Sequence, residues 1–322
     1  MTLNLRKLFT APKLSVIIPT YNRVEELRLC LEGFAQQTAP LDCFEIVVVD
    51  DGSDADIQSV VAPFKRTLRI EFIRTANAGP GAARNTAMER ASSPLLLLYD
   101  DDLRPFPDLV ARCLDFHSKH PQDEHASLLY FRPDIALADC PALHWGFRFL
   151  YPFPAETGVF DWRLFWSGTL TCKKRLFDDL RFKADFRALE DSELALRLSR
   201  RFNMRIHFDG CARGTMTRRM SFHDLYKRQY ASGYFRYRLA LAHPGKLHFN
   251  VPPFDEPEKY VISNASELKV LLAMAKQLEA KAIREESEAS PQLEGLWNRA
   301  EVHARVSGWI AARDGMPAPG LA

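Results

Sequence analysis

Apolar runs too short to be helices recur along the first hundred residues, and several stop abruptly at polar or acidic groups. Residues 14–18 (LSVII) form a β-branched run closed by Pro19, residues 44–49 (FEIVVV) a second, residues 68–73 a third, and residues 95–98 (LLLL) a fourth. Runs of this length, apolar at successive positions, predict strands buried on both faces. Between them the apolar period changes to that of a helix. Val24, Leu27, Leu31 and Phe34 make one stripe, with Asn22 as the expected cap and Glu25 three positions on as in a capping box. After the third run comes NAGPGAARN (77–85), where glycines permit close backbone approach and Pro80 can open an alanine-rich helix. Strand and helix alternate, so the expected fold is α/β, with a mostly parallel sheet flanked by helices and one shared ligand edge at the strand carboxyl ends.

That edge is where the acids collect. The second run ends in Asp50-Asp51-Gly52-Ser53, and the fourth in Tyr99 followed by Asp100, Asp101 and Asp102. Adjacent carboxylates repel, and a hard divalent cation such as Mg²⁺ or Mn²⁺ is their natural partner, with Asp100 and Asp102 offering oxygens. A solvated acidic turn is the alternative reading.

Further on, a helix is expected from Pro105, with Leu109, Val110, Cys113 and Leu114 inward, then a strand at 127–131. Residues 144–166 carry Trp145, Phe147, Phe149, Tyr151, Phe153, Phe160, Trp162, Phe165 and Trp166, read either as core packing or as an aromatic acceptor platform. In the helix at LEDSELALRL (189–198), Asp191 shares a face with Leu194, Ala195 and Leu198, while Glu193 can pair with Arg197. An inward carboxylate near a helix start is either a cap or a reactive group. Residues 213–238 are basic and aromatic; Lys227 or Arg228 could compensate a diphosphate, or the stretch could meet anionic lipid. Two amphipathic helices, 266–285 and 291–313, are expected in the tail.

The chain has 322 residues and a formal charge of only +2, which argues against a general nucleic-acid binder. Its six cysteines are scattered without a Cys-x-x-Cys pair, and no stretch approaches the ~20 apolar residues of a membrane span. The expected setting is therefore reducing and cytoplasmic, with peripheral membrane contact left open.

Five segments in order, SVIIPTYNR (15–23), VVVDDGS (47–53), NAGPGAARN (77–85), YDDDLRP (99–105) and LEDSEL (189–194), together resemble the family-2 glycosyltransferases of the GT-A fold. The resemblance covers residues 14 to 198, more weakly to about Pro244. It implies a Rossmann-like, nucleotide-diphospho-sugar transferase domain over 1–250 with a helical carboxy-terminal extension over 251–322. Pro19, Tyr21 and Asp51 fall where the family holds the nucleotide base, and Arg84 where a basic residue lies near the diphosphate. Asp100 and Asp102 take the D-x-D positions of the Mg²⁺ or Mn²⁺ site, Asp100 and Asp101 also face the donor, and Asp191 matches the general base. The implied reaction transfers one sugar, with inversion, from a nucleoside-diphosphate sugar, UDP favoured, to a glycan, lipid-linked saccharide or peptide acceptor.

Two departures stand out. A family histidine aligns near Met216 or Thr217, with His223 out of register, so the third metal ligand is left open. The processive Q-x-x-R-W signature is also absent. A non-catalytic sugar-nucleotide-binding or scaffold protein is the competing reading; a nucleotidyltransferase and a phosphoacceptor receiver fit the motifs less well.

Overall fold

The computed structural model describes residues 11–133, 153–218, 221–244 and 291–319, with scattered positions between 257 and 284. It divides into two compact units: residues 1–132 with 154–218, and residues 133–153 with 219–322. The helix at Phe222–Ala242 packs along the one at Pro291–Arg313, and both belong to the second unit.

The first unit is built on one curled sheet. Strands β1 (Leu14–Thr20), β2 (Phe44–Asp50), β3 (Ile70–Arg74) and β4 (Leu95–Tyr99) run parallel in the order β3-β2-β1-β4. Every residue of β1 and β2 is buried, as two-sided burial of a parallel sheet requires. Pro19, which has no N–H, lies past Ile17, the last β1 residue paired with β4. Helices α1 (Val24–Ala35), α2 (Ile57–Val61) and α3 (Pro80–Arg90) supply the crossovers. On the inner face Phe34 meets Tyr99 edge-on at 5.3 Å, joining α1 to β4.

Beyond β4 the parallel order ends. The short β5 (Leu103–Pro105), β6 (His125–Pro133), β7 (Gly158–Phe160), β8 (Thr169–Lys173) and β9 (Arg205–Met216) complete a nine-stranded sheet, with β8 antiparallel to both β4 and β6, and β5 and β7 antiparallel to β9. The sheet is therefore mixed: β3, β2, β1 and β4 are parallel, and the pairing of β4 with β8 is the first antiparallel one along it. Pro105 closes β5 instead of opening a helix, and α4 starts later, at Leu109–Lys119. The helix α5 (Glu190–Ser199) follows the loop after β8.

In the second unit, α6 (Phe222–Ala242) starts with a capping box in which Ser221 and Asp224 exchange hydrogen bonds. It packs on α7 (Pro291–Arg313), the expected second tail helix; the described positions between 270 and 284 are helical as well. Tyr226 and Tyr237, from the basic aromatic segment, turn to His303 and Trp309 of α7. Of the aromatic stretch, Trp145, Phe147, Phe149 and Tyr151 lie outside the described residues. Phe165 is core, against Phe177, while Trp162 and Trp166 are half-buried.

Candidate active site at the carboxyl edge of the sheet

The parallel strands β1, β2 and β4 end side by side, so the polar groups that follow them are delivered to one edge. Thr20 is in register with Asp50, and the Asp51 N–H donates to the Thr20 carbonyl at 2.9 Å, which sets Tyr21 and Asp51 on neighbouring strand ends. Asn22, at φ 54°, does not cap α1. Its Oδ1 accepts the Asp54 and Ala55 N–H groups at 2.8 and 3.3 Å, and its own N–H donates to Ser53 Oγ at 2.8 Å. The expected capping box is therefore absent: α1 starts at Arg23 without a side-chain cap, and Glu25 pairs with Arg28 instead.

Asp51 is buried and holds the next loop in place. Its two oxygens accept the N–H groups of Ala78 and Gly79 at 2.9 and 2.8 Å, so the turn into α3 is built on this carboxylate. Gly79, at φ 93°, supplies the backbone conformation that this turn requires. Asp50 is fully buried and accepts Ser53 N–H on Oδ1, while its Oδ2 has no hydrogen bond; the nearest cation is Arg74, at 3.7 Å.

The three aspartates after β4 separate into different environments. Asp101 and Asp102, both buried, share Arg23 Nη1 at 2.6 and 3.1 Å. Burial pushes the Asp101 carboxyl up to about 6 against the opposing pull of Arg23. Asp100 is the more exposed and points to Arg84, whose Nη2 lies 2.6 Å from its Oδ1. Its Oδ2 fills the space above Gly168, where a Cβ would collide with it.

Arg84 links the two acidic motifs. Buried in α3, it donates from Nη2 to Asp100 and from Nη1 to Glu190 at 2.9 Å, with the Phe182 ring beneath. Its Nε is buried without a hydrogen bond. Glu190 and Asp191 start α5, but neither is the cap: that position is Leu189, in the left-handed region at φ 57° and without a side-chain cap bond. Half-buried Asp191 instead accepts the N–H of Ser192 at 2.7 Å. Burial raises the Asp191 carboxyl, with Arg84 opposing; burial and then Asp191 raise Glu190 to about 7, again against Arg84. The expected Glu193–Arg197 pair forms at 2.6 Å, and Lys183 joins it at 3.0 Å.

Asp100, Asp101, Asp102, Glu190 and Asp191 thus outnumber Arg23 and Arg84, an excess of acid that a divalent cation on Asp100 and Asp102 would offset. Of the two positions aligned with the family histidine, Met216 is buried at the end of β9 and Thr217 hydrogen-bonds through N–H and hydroxyl to the Asp102 carbonyl at 2.8 and 3.1 Å. His223 is an exposed side chain in the first turn of α6, and Lys227 and Arg228 also lie on that helix. The sequence reading missed Arg23 as the partner of Asp101 and Asp102, and Glu190 as the partner of Arg84. Both lie inside the motifs it used, next to residues it named.

Residues 15–133 match the model of the family described as Glycosyl transferase family 2. This stretch belongs to glycosyl transferase family 2. The family-2 segment is 39% identical over 109 residues to validoxylamine A glucosyltransferase of Streptomyces hygroscopicus subsp. jinggangensis, covering 33% of this chain and 26% of the relative. It is 37% identical over 92 residues to the poly(ribitol-phosphate) beta-N-acetylglucosaminyltransferase TarS of Staphylococcus aureus, covering 28% of this chain and 16% of TarS. The chain spans about a third or less of the length of the curated relatives it matches.

Among solved structures, the chain is similar to S. aureus TarS 1-349 in complex with UDP-GlcNAc, with TM-score 0.56 and 19% identity over 94% of this chain and 92% of that one. It is equally similar to the mannosyltransferase PcManGT from Pyrobaculum calidifontis in complex with GDP-Man and Mn²⁺, with TM-score 0.56 and 20% identity over 93% and 91% of the chains. The fold is GT-A.

Proposed function

We propose that this chain is an inverting glycosyltransferase that moves one sugar from a nucleoside-diphosphate sugar to an acceptor hydroxyl, with Asp191 as the base. The observation that carries the reading is the Arg84 bridge. One buried guanidinium holds Asp100, after the central strand, and Glu190, beside Asp191, within a single constellation.

In the proposed reaction the acceptor oxygen forms a bond to the anomeric carbon as the carbon–oxygen bond to the diphosphate breaks. Asp191 takes the acceptor proton, and the electron pair leaves with the diphosphate. A carboxylate raised by burial is a stronger proton acceptor than an ordinary aspartate, which suits this step. Pro19 and Tyr21 flank the nucleotide base, with Asp51 fixing the adjoining turn. Asp100 and Asp102 would hold Mg²⁺ or Mn²⁺, which supplies positive charge to the departing diphosphate. Arg84 keeps Asp100 oriented for that task, and Asp101, anchored to Arg23, lines the donor side. The nucleotide is open between uridine and guanosine, since similar folds are known with UDP-GlcNAc and with GDP-Man and Mn²⁺.

Calorimetric titration with UDP, GDP and dTDP, each with Mn²⁺ and again with chelator, tests the donor site: one nucleotide is expected to bind, and only with metal. In the Asp191→Asn variant, turnover should fall by about 10²–10⁴ while that nucleotide still binds. Parallel loss of binding and turnover would reject Asp191 as the base, and absence of nucleotide binding under every condition would favour a scaffold role.

A further inference from the structure

Three histidines meet at the other end of the sheet, away from the residues of the candidate active site. His120 is the cap residue at the end of α4, His125 opens β6 and His207 lies on β9. Each offers a ring nitrogen to one cluster whose atoms all lie within 4.8 Å of one another, and among the described residues no other trio of His, Cys, Asp or Glu does so. His125 Nδ1 and His207 Nε2 are 2.7 Å apart, and the His120 and His125 rings stack at 5.0 Å. All three side chains are half-buried, so the cluster is formed by the fold and still reachable from solvent.

Strand register fixes its distance from the donor edge. Ser127 pairs with Thr171, which pairs with Leu97, so His125 sits level with Lys173 and Leu95, at the start of β4. Asp100 follows the far end of that strand, on the order of 17 Å away along its axis. The two groups also differ in ligand chemistry: carboxylate oxygens suit Mg²⁺ and Mn²⁺, whereas imidazoles suit zinc and its transition-metal neighbours.

We propose that His120, His125 and His207 form a zinc-binding site that clamps α4, β6 and β9 together. Three imidazoles leave the fourth tetrahedral position to water. Tetrahedral zinc with bonds of about 2.0–2.1 Å places its nitrogens roughly 3.3 Å apart, so the His125–His207 contact opens by about 0.6 Å and the 4.8 Å spread closes. The proton shared by that pair moves to an outer ring nitrogen, with no net proton release from neutral rings.

The surroundings favour this use. The Phe116 ring packs on His120 at 4.8 Å and on His207 at 5.1 Å, limiting their rotation. Lys173 Nζ donates to the His120 carbonyl at 2.7 Å, tying the helix end to β8. Arg205 and Lys173 bring positive charge near the cluster and Glu124 brings negative charge, so the attraction for the cation comes from the ligand set, with no net help from the surrounding field.

Cobalt titration of the tag-free, full-length protein tests the site, since tetrahedral Co²⁺ reports its own geometry by visible absorption. One equivalent should give the tetrahedral spectrum, zinc should displace it and Mg²⁺ should not, and zinc should raise the melting temperature. His207→Ala should weaken zinc binding by at least about tenfold, with His120→Ala as a second variant if the first fails to fold. The Asp100→Ala/Asp102→Ala double variant should keep the signal. The proposal is overturned if the wild type gives no tetrahedral spectrum, if both histidine variants match the wild type, or if the aspartate variant loses the signal.

Discussion

Arg84 is the side chain whose loss should be felt most widely. It is buried between Asp100 and Glu190, and truncating one partner of a buried charge cluster leaves the others uncompensated. Arg84→Met should therefore cost about 3–5 kcal/mol in chemical denaturation, in addition to any loss of turnover. Glu190 makes a separate, pH-resolved prediction. Its carboxyl is raised to about 7 in the folded chain, mainly by burial, so between about pH 4.5 and 7 the folded state keeps a proton that the unfolded chain releases. Stability from this group is complete below pH 4.5 and lost as the pH rises through 7. The advantage of the wild type over Glu190→Gln, followed by melting temperature, should shrink across that window and stay level above it. Of these residues, Asp100, Asp191 and Arg84 were legible in the sequence because each sits at a motif position or on a defined helix face. The Arg84–Glu190 pair was not, since it joins residues 106 positions apart and neither helical period nor strand alternation encodes such a contact.

Local pattern served β1 to β4 well, because each is a short run rich in apolar residues set off from the next by a helix, although β3, at the sheet edge, is only half-buried. It missed β5. Leu103–Pro105 is three residues long and exists as a strand through its pairing with Met216, Thr215 and Gly214, a partner far along the chain. Asp191 likewise read as a possible cap because aspartate favours that position, whereas the actual helix start at Leu189 depends on a left-handed residue that no propensity announces. Where helices meet, glycine is the readable signal. Gly233 of α6 faces the Arg305 carbonyl of α7, and Gly308 of α7 faces the Tyr230 carbonyl of α6, each so closely that a Cβ would overlap backbone. The pair can approach only because both contact positions lack a side chain. Gly308→Ala should force the helices apart and cost about 1–3 kcal/mol, read by denaturant unfolding, whereas the exposed Gly295→Ala, with nothing near its Cβ, should stabilise α7 slightly through helix propensity.

Every residue assigned to the donor site, from Pro19 to Asp191, belongs to the first compact unit, and the glycine-mediated helix pair belongs to the second. A ligand that binds one unit stabilises that unit by mass action, by about 2.7 kcal/mol at a concentration one hundred times its dissociation constant. Differential scanning calorimetry of the whole chain should therefore resolve two transitions with different sensitivities. The nucleotide chosen by titration, given with Mn²⁺, should raise only the transition of the first unit, and chelator should reverse the shift. Gly308→Ala should lower only the other transition and leave nucleotide affinity unchanged. If ligand and substitution instead move a single transition together, the two units unfold as one cooperative body, and the helical unit then contributes to donor binding through stability although it supplies none of the assigned donor residues.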